Sequence, residues 1–340
     1  MKKSILDIIS PLSSICTTSF YQNITNRKLI FPFYHSVSDI PQLHISSLYT
    51  TRSVIEFKKD LEFLLKHYEI IEPDKAFILI TKKQQPIKPS FLLSFDDGLS
   101  EFYEIIAPIL IQKGIPAINF INTAFVDNKD LFYRSKASLL INHIKENPQL
   151  NKLLSVFLAD NGFTNNNLYN IILSINFNNR ELFDKAAKIC NYSFEDFLQV
   201  KKPYLTSVQI NELSKQGFLF GAHSINHPKY SELNLQEQIR QTQESVEFVK
   251  NKFEQPYKLF AFPFTDFGVS PELFNKFFNH ENHILDFSFA TAGLKNDEFC
   301  RNIQRIPMEG TSANGKKIIK TEYLYYLLKV ALSKNCVIHK

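Results

Sequence analysis

Tryptophan is absent from this 340-residue chain, and its four cysteines (Cys16, Cys190, Cys300, Cys336) lie far apart with no CxxC spacing. That excludes a disulfide framework and reads as free thiols in a reducing compartment. No apolar run reaches the ~20 residues that a membrane-spanning helix needs. Asp7 and Pro11 interrupt the residues after Lys2 and Lys3, and no small-residue cleavage site follows, so a signal peptide is not expected. A basic stripe with interleaved aromatics is also lacking. The net charge of +5 is modest and scattered, which argues against a nucleic-acid partner. Internal repeats and low-complexity linkers are missing as well. The expected location is cytoplasmic, with no integral membrane segment, and oligomeric state stays open.

What is present is an aromatic, ordinary globular composition: 32 Phe and 14 Tyr, 44% hydrophobic and 21% charged residues. The length allows one large domain or two small ones. Short runs rich in β-formers alternate with amphipathic helical patterns, at Ile30–Tyr34, Ser90–Phe95, Ile115–Ile121, Phe218–Ala222, Tyr257–Phe262 and Phe287–Ala290. Ser53 and Glu56 form a capping-box pattern ahead of a helix whose apolar face carries Phe57, Leu61 and Leu64. Ser270-Pro271 opens another helix, and Gly114 and Gly217 stand where a helix gives way to a strand. A repeated β–α pattern implies a mostly parallel sheet or barrel. From about Asp127 to Pro203 the rhythm breaks into helices with Asn-rich joints (Asn165–Asn167, Asn176–Asn179), read as a helical insertion, 127–203, in a single domain spanning 1–340.

Two motifs carry chemistry, each at the end of a predicted strand. In Ser94-Phe95-Asp96-Asp97-Gly98, neighbouring carboxylates at a strand terminus point in different directions, so one can hold a metal while the other contacts a water. Gly98 lets the chain turn away. In His223-Ser224-Ile225-Asn226-His227, histidines at i and i+4 are expected on one face of a helical turn. With Asp97 they give a His–His–Asp set that suits Zn2+ or another divalent transition metal. Either motif alone reads as a polar turn or as ordinary histidines; the pair makes coincidence much less credible.

These motifs resemble the first two of the polysaccharide deacetylases, metal-dependent carbohydrate esterases that act on N-acetylated sugars. The resemblance runs from about residue 30 to about residue 310, the insertion excepted. Tyr204–Gly217 resembles the helix before the histidine motif, Phe260-Ala261-Phe262-Pro263-Phe264 the aromatic–proline motif lining the substrate groove, and Arg305-Ile306-Pro307 a late segment of many members. The resemblance implies an α/β fold, a distorted (β/α) barrel with fewer than eight strands and a site at its carboxyl edge. It implies Asp97, His223 and His227 as metal ligands and Asp96 as general base. Phe262, Pro263 and Phe264 would bind substrate, an N-acetylated oligo- or polysaccharide, with the Phe264 N–H assisting at the oxyanion.

The chain departs from the commonest pattern in two places. The usual late Leu-x-His acid is missing; His339 is the only late candidate. Phe31-Pro32-Phe33-Tyr34-His35 matches relatives that carry this histidine near the N-terminus, so His35 is assigned as the acid. The arginine that orients the base is replaced by Ala261, which leaves Asp96 needing another partner. Arg305 is one candidate, although a structural ion pair is its expected role. Thr265 and Asp266 are expected to shape a turn, and His143 and His283 to be surface residues. The apolar helix around Tyr323–Leu332, ringed by Lys316, Lys317, Lys320, Lys329, Lys334 and Lys340, could lie on a membrane surface, but packing on the barrel is the expected role. Against the deacetylase reading stand a non-hydrolytic saccharide- or partner-binding relative and another metal hydrolase. Both aspartates and both histidines speak against the first, and the aromatic–proline segment against the second.

Overall fold

A computed structural model describes residues 2–165, 167–279, 281 and 283–340. Of the Asn165–Asn167 joint, Asn166 lies outside the described residues.

The centre is a ring of short, all-parallel strands. In chain order these are β1 (Pro32–Tyr34), β2 (Leu93–Phe95), β3 (Ala117–Ile121), β4 (Leu219–Ala222), β5 (Leu259–Ala261), β6 (Phe287–Ala290), β7 (Asn302–Gln304) and β8 (Ile306–Pro307). Each of β1 to β6 pairs with the next in chain order. β7 then pairs with β6, and β8 returns to pair with β1. Only Arg305 separates β7 from β8, so the two are halves of one extended segment that closes the barrel. The eight strands thus form seven staves, a distorted barrel as expected, with fewer than eight only when the two halves are counted as one. Residues of β2 and β3 are buried along their whole length, as staves covered on both faces require.

Local sequence accounts for the joints. The helix Val54–His67 starts at the Ser53/Glu56 capping box, and Gly114, in the left-handed conformation, ends the helix Ala107–Lys113. The first two staves extend backward into a small sheet of Leu29–Ile30, Ser90–Phe91 and Glu69–Ile70. The last helix, Gly315–Ala331, buries Tyr323, Tyr325 and Tyr326, and Tyr21 of the helix Thr18–Thr25 stacks on Tyr323 with ring centres 6.0 Å apart. That element packs on the body of the protein, and no helix among the described residues is long and apolar enough to cross a membrane.

Between β3 and β4 lie five helices from Tyr133 to Lys201. Ile144, Leu154, Ile172 and Phe183 bury one another there, and Leu99, Phe125 and Tyr204 join the same apolar cluster from the barrel side.

Candidate active site

The carboxyl ends of the staves carry the chemistry. Asp96 and Asp97 follow β2, and the Asp96 N–H donates to Tyr34 O at 3.0 Å, extending the ladder one residue past β2. Asp97 then turns into the left-handed region (φ 74°), followed by Gly98 (φ 64°). A Cβ on Gly98 would lie 2.9 Å from Ile121 Cγ2, so glycine is needed for space as well as conformation.

His223 and His227 follow β4, but not on a helical turn. The segment is an irregular loop with Ser224 and His227 at φ 68° and 61°. Backbone bonds to the residues after β3 hold it: Thr123 N–H to Ser224 O at 3.2 Å and Ala124 N–H to Ile225 O at 2.9 Å. Gln241 holds it from the other side, accepting from Ile225 N–H and donating to Asn226. The i, i+4 spacing therefore brings the rings together through two left-handed residues, with centres 4.8 Å apart. Non-glycine residues with positive φ concentrate here, Asp97, Ser224, His227 and Phe264 among them, and for a bulky residue such as Phe264 this costs on the order of 1–3 kcal/mol.

The three ligand candidates converge. Asp97 Oδ1 lies 3.2 Å from His227 Nε2 and 3.5 Å from His223 Nε2, and the three ligand atoms all fall within 4.8 Å of one another. A tetrahedral ion with bonds of about 2.1 Å separates its ligands by about 3.4 Å. Buried Asp97 Oδ1 also meets no hydrogen-bond donor among the described residues. His223 Nδ1–H donates to Ala261 O at 2.8 Å, which leaves Nε2 with its lone pair toward Asp97. Burial pushes the His223 imidazole down to about 4, so it is neutral, as a ligand must be. Burial would raise Asp97, but His227 and the other nearby histidines hold its carboxyl well below the usual range. The donor set and its spacing fit a divalent transition metal.

Asp96 is not a ligand. Its two oxygens accept from Arg305 Nη1 and Nη2 at 2.7 and 2.8 Å, and Nη1 also donates to Ser94 Oγ at 3.0 Å. Both residues are buried. Burial would raise this carboxyl, yet the guanidinium lowers it and keeps Asp96 ionised. Arg305 is therefore the partner of Asp96 that Ala261 cannot be. The arginine occupies the barrel seam, between the two halves of the last stave.

His35, after β1, faces the same cavity. Its Nδ1 meets Glu309 Oε2 at 2.9 Å, and the Glu309 carboxylate also accepts the N–H groups of His35 and Ser36. Burial would lower this imidazole, but the Glu309 hydrogen bond and charge raise it to about 9. His339 lies elsewhere, against Asp297, and does not line this cavity. Asp266 closes a turn with its carbonyl, as expected, and its buried carboxylate also joins a polar network. His143 is half-buried with Nε2 near Cys190 O, not a surface residue, while His283 is exposed beside Asp286.

One cavity of about 640 Å³ is lined by His35, Asp96, Asp97, His223, His227, Phe262 and Phe264, but not by Pro263. Phe132 and Arg134 of the 127–203 segment line it too, and the Phe132 ring lies 4.2 Å from that of His227. Glu309, Phe132 and the role of Arg305 escape sequence reasoning. The one available signal is a charged residue set between Ile303 and Ile306, where a buried partner would be needed to tolerate it.

The sequence model of the family described as polysaccharide deacetylase matches residues 83–273, more than half of the chain. YxkH of Bacillus subtilis (strain 168), a protein named for the same family, is 26% identical over 105 residues, covering 31% of this chain and 35% of that protein. The chain thus matches about a third of that relative's length. The Streptococcus pyogenes deacetylase PplD, solved with acetate, superposes with a TM-score of 0.55 at 13% identity, covering 87% of this chain and 98% of that one. IcaB from Ammonifex degensii gives 0.54 at 14%, covering 87% and 97%. With the nearly closed parallel barrel and the two motifs at its carboxyl edge, these matches place the chain in the polysaccharide deacetylase family.

Proposed function

We propose that the protein is a metal-dependent de-N-acetylase of an N-acetylated oligo- or polysaccharide, acting in assembly or modification of a surface polysaccharide. The observation that carries this reading is the separation of two carboxylates three ångströms from quite different partners: Asp97 among imidazole nitrogens, Asp96 on a guanidinium. Asp97, His223 and His227 would hold Zn2+ or another divalent transition metal, which supplies Lewis-acid activation of water and of the acetamide carbonyl.

The chain's own groups do the rest. Asp96, kept ionised by Arg305, takes the proton of the attacking water. Phe264, in its left-handed conformation beside His227, brings its backbone to the carbonyl oxygen; ring centres of the two lie 4.7 Å apart. His35, kept protonated by Glu309, delivers a proton to the departing amine. Carbonyl carbon–nitrogen cleavage then yields acetate and a free amino sugar. Phe264, which is exposed, offers an aromatic face to the sugar, while Phe262 is buried among Tyr230, Phe260 and Phe274 and backs the cavity wall. The 127–203 segment, through Phe132 and Arg134, shapes access to the mouth. The free cysteines agree with a cytoplasmic location.

The test is acetate release from N-acetylated oligosaccharides alongside metal content of the purified protein. Stoichiometric metal with acetate release, lost on Asp96→Asn and His223→Ala, supports the reading. A folded protein that takes up no metal overturns it and favours a saccharide-binding role.

A further inference from the structure

Beside the Phe264 loop lies a buried ionic cluster that the proposed chemistry does not use. Asp266, two residues beyond Phe264, and Asp297 each present Oδ2 to the same two side-chain amides. Asn302 Nδ2 donates to both at 2.9 Å, and Gln304 Nε2 donates to both at 2.8 Å. The amides cannot be turned round. Asn302 Oδ1 accepts from Ser288 Oγ at 2.7 Å, and Gln304 Oε1 accepts from Ala292 N–H at 2.6 Å. Two like charges are thus held together in the interior, an arrangement that needs a cation nearby.

His339 supplies it. Its Nε2 lies 3.1 Å from Asp297 Oδ2 and 3.9 Å from Asp266 Oδ2. The ring packs on Phe274 with centres 4.1 Å apart. The segment carrying it is pinned by the parallel pairing of Cys336–Val337 with Asn296–Asp297, and the His339 N–H donates to Glu298 Oε1. Burial would lower the imidazole, but Asp297, Asp266 and Glu298, the charged groups facing it, raise it above its ordinary value. Although Asp266, Asp297 and His339 offer ligand atoms within 4.8 Å, amide hydrogens already occupy both Oδ2 atoms, so the cluster is complete as an ion-paired network.

We propose that this network is a latch: His339, through Asp297 and Asp266, positions the loop carrying Phe264 against the metal ligands. Asn302 and Gln304 belong to β7, the half-stave directly before Arg305, so the latch registers the loop against the same segment that orients Asp96. Asp266 meets the loop by its main chain too, its carbonyl accepting from Val269 N–H at 3.1 Å, while Thr265 N–H closes a tight turn onto Pro263 O at 2.7 Å. Asp266 and His339 are positioning residues; neither lines the cavity. The inference rests on the reading that the Phe264 backbone serves the carbonyl oxygen.

The test compares hydrogen exchange of residues 262–269, metal content and acetate-release kinetics in the wild type, His339→Gln and His339→Gln/Asp297→Asn. The expected result for His339→Gln is faster exchange confined to 262–269, unchanged metal stoichiometry, and kcat lowered about tenfold or more with KM within about twofold. The double variant, which removes one negative charge for the positive one lost, regains protection and most of kcat. Unchanged exchange over 262–269 in His339→Gln overturns the latch, as does a double variant no better than the single. Should His339→Gln not fold, Asp266→Ala is read by the same exchange criterion. A wild type that releases no acetate sinks the de-N-acetylase reading alone, because exchange still decides whether His339 holds the loop.

Discussion

Arg305 and Asp96 meet through two parallel hydrogen bonds of 2.7 and 2.8 Å, across 209 residues of sequence, with both side chains buried. The guanidinium fork matches the carboxylate oxygen for oxygen, a geometry an ammonium cannot reproduce. Arg305→Lys is therefore expected to fold and bind metal but to lose most of kcat. Arg305→Met leaves a buried carboxylate without its cation and should cost about 3–5 kcal/mol of stability. Thermal melts and acetate kinetics check both; a fully active Arg305→Lys would show that orientation of Asp96 does not matter.

Metal loading should be visible without turnover. Ligand that binds only the folded state stabilises it by about 2.7 kcal/mol at a hundredfold excess over Kd. Zinc is expected to raise Tm of the wild type and of Asp96→Asn, which keeps all three ligands, but not of His223→Ala. A matching rise in His223→Ala would place the ion elsewhere.

With His35 as the proposed acid, the basic side of the pH profile follows its imidazolium, whose pKa Glu309 raises to about 9. Glu309→Gln keeps the shape but removes the charge, so the folded pKa falls and the protonated form is lost at lower pH. The basic limb of kcat/KM should move down, with activity near pH 6 affected least. A basic limb that stays in place would exclude His35 as the acid.

Phe132 reaches the site from outside the barrel and packs on His227. Phe132→Ala is expected to raise KM and to change the preference among oligosaccharides of different length, with the metal retained. Equal kinetics on every length would show that the segment does not shape access.

The residues that the structure gathers in one cavity were legible because strand ends announce themselves: an apolar run stops, and polar residues with a glycine follow. Asp96, Asp97, His223 and His227 were found that way, and the β–α rhythm gave the barrel. The helical turn assigned to His223–His227 failed because spacing alone cannot distinguish a helix from two left-handed residues held by Gln241. Glu309 escaped, and Arg305 was only one candidate, because their partners, His35 and Asp96, are distant in sequence and become neighbours only when β8 docks on β1. Phe132 was hidden for a related reason: nothing local in an insertion tells which of its aromatics turns back toward the barrel.

The seam has a consequence for the order in which the protein becomes competent. During synthesis Asp97, His223 and His227 emerge well before the stretch from Arg305 to Glu309. Until that stretch docks, Asp96 has no guanidinium and His35 no carboxylate. Closure by one short extended segment supplies both in a single docking event. Two side chains more than sixty residues apart therefore receive their partners together, and a product truncated before Arg305 would lack both pairings.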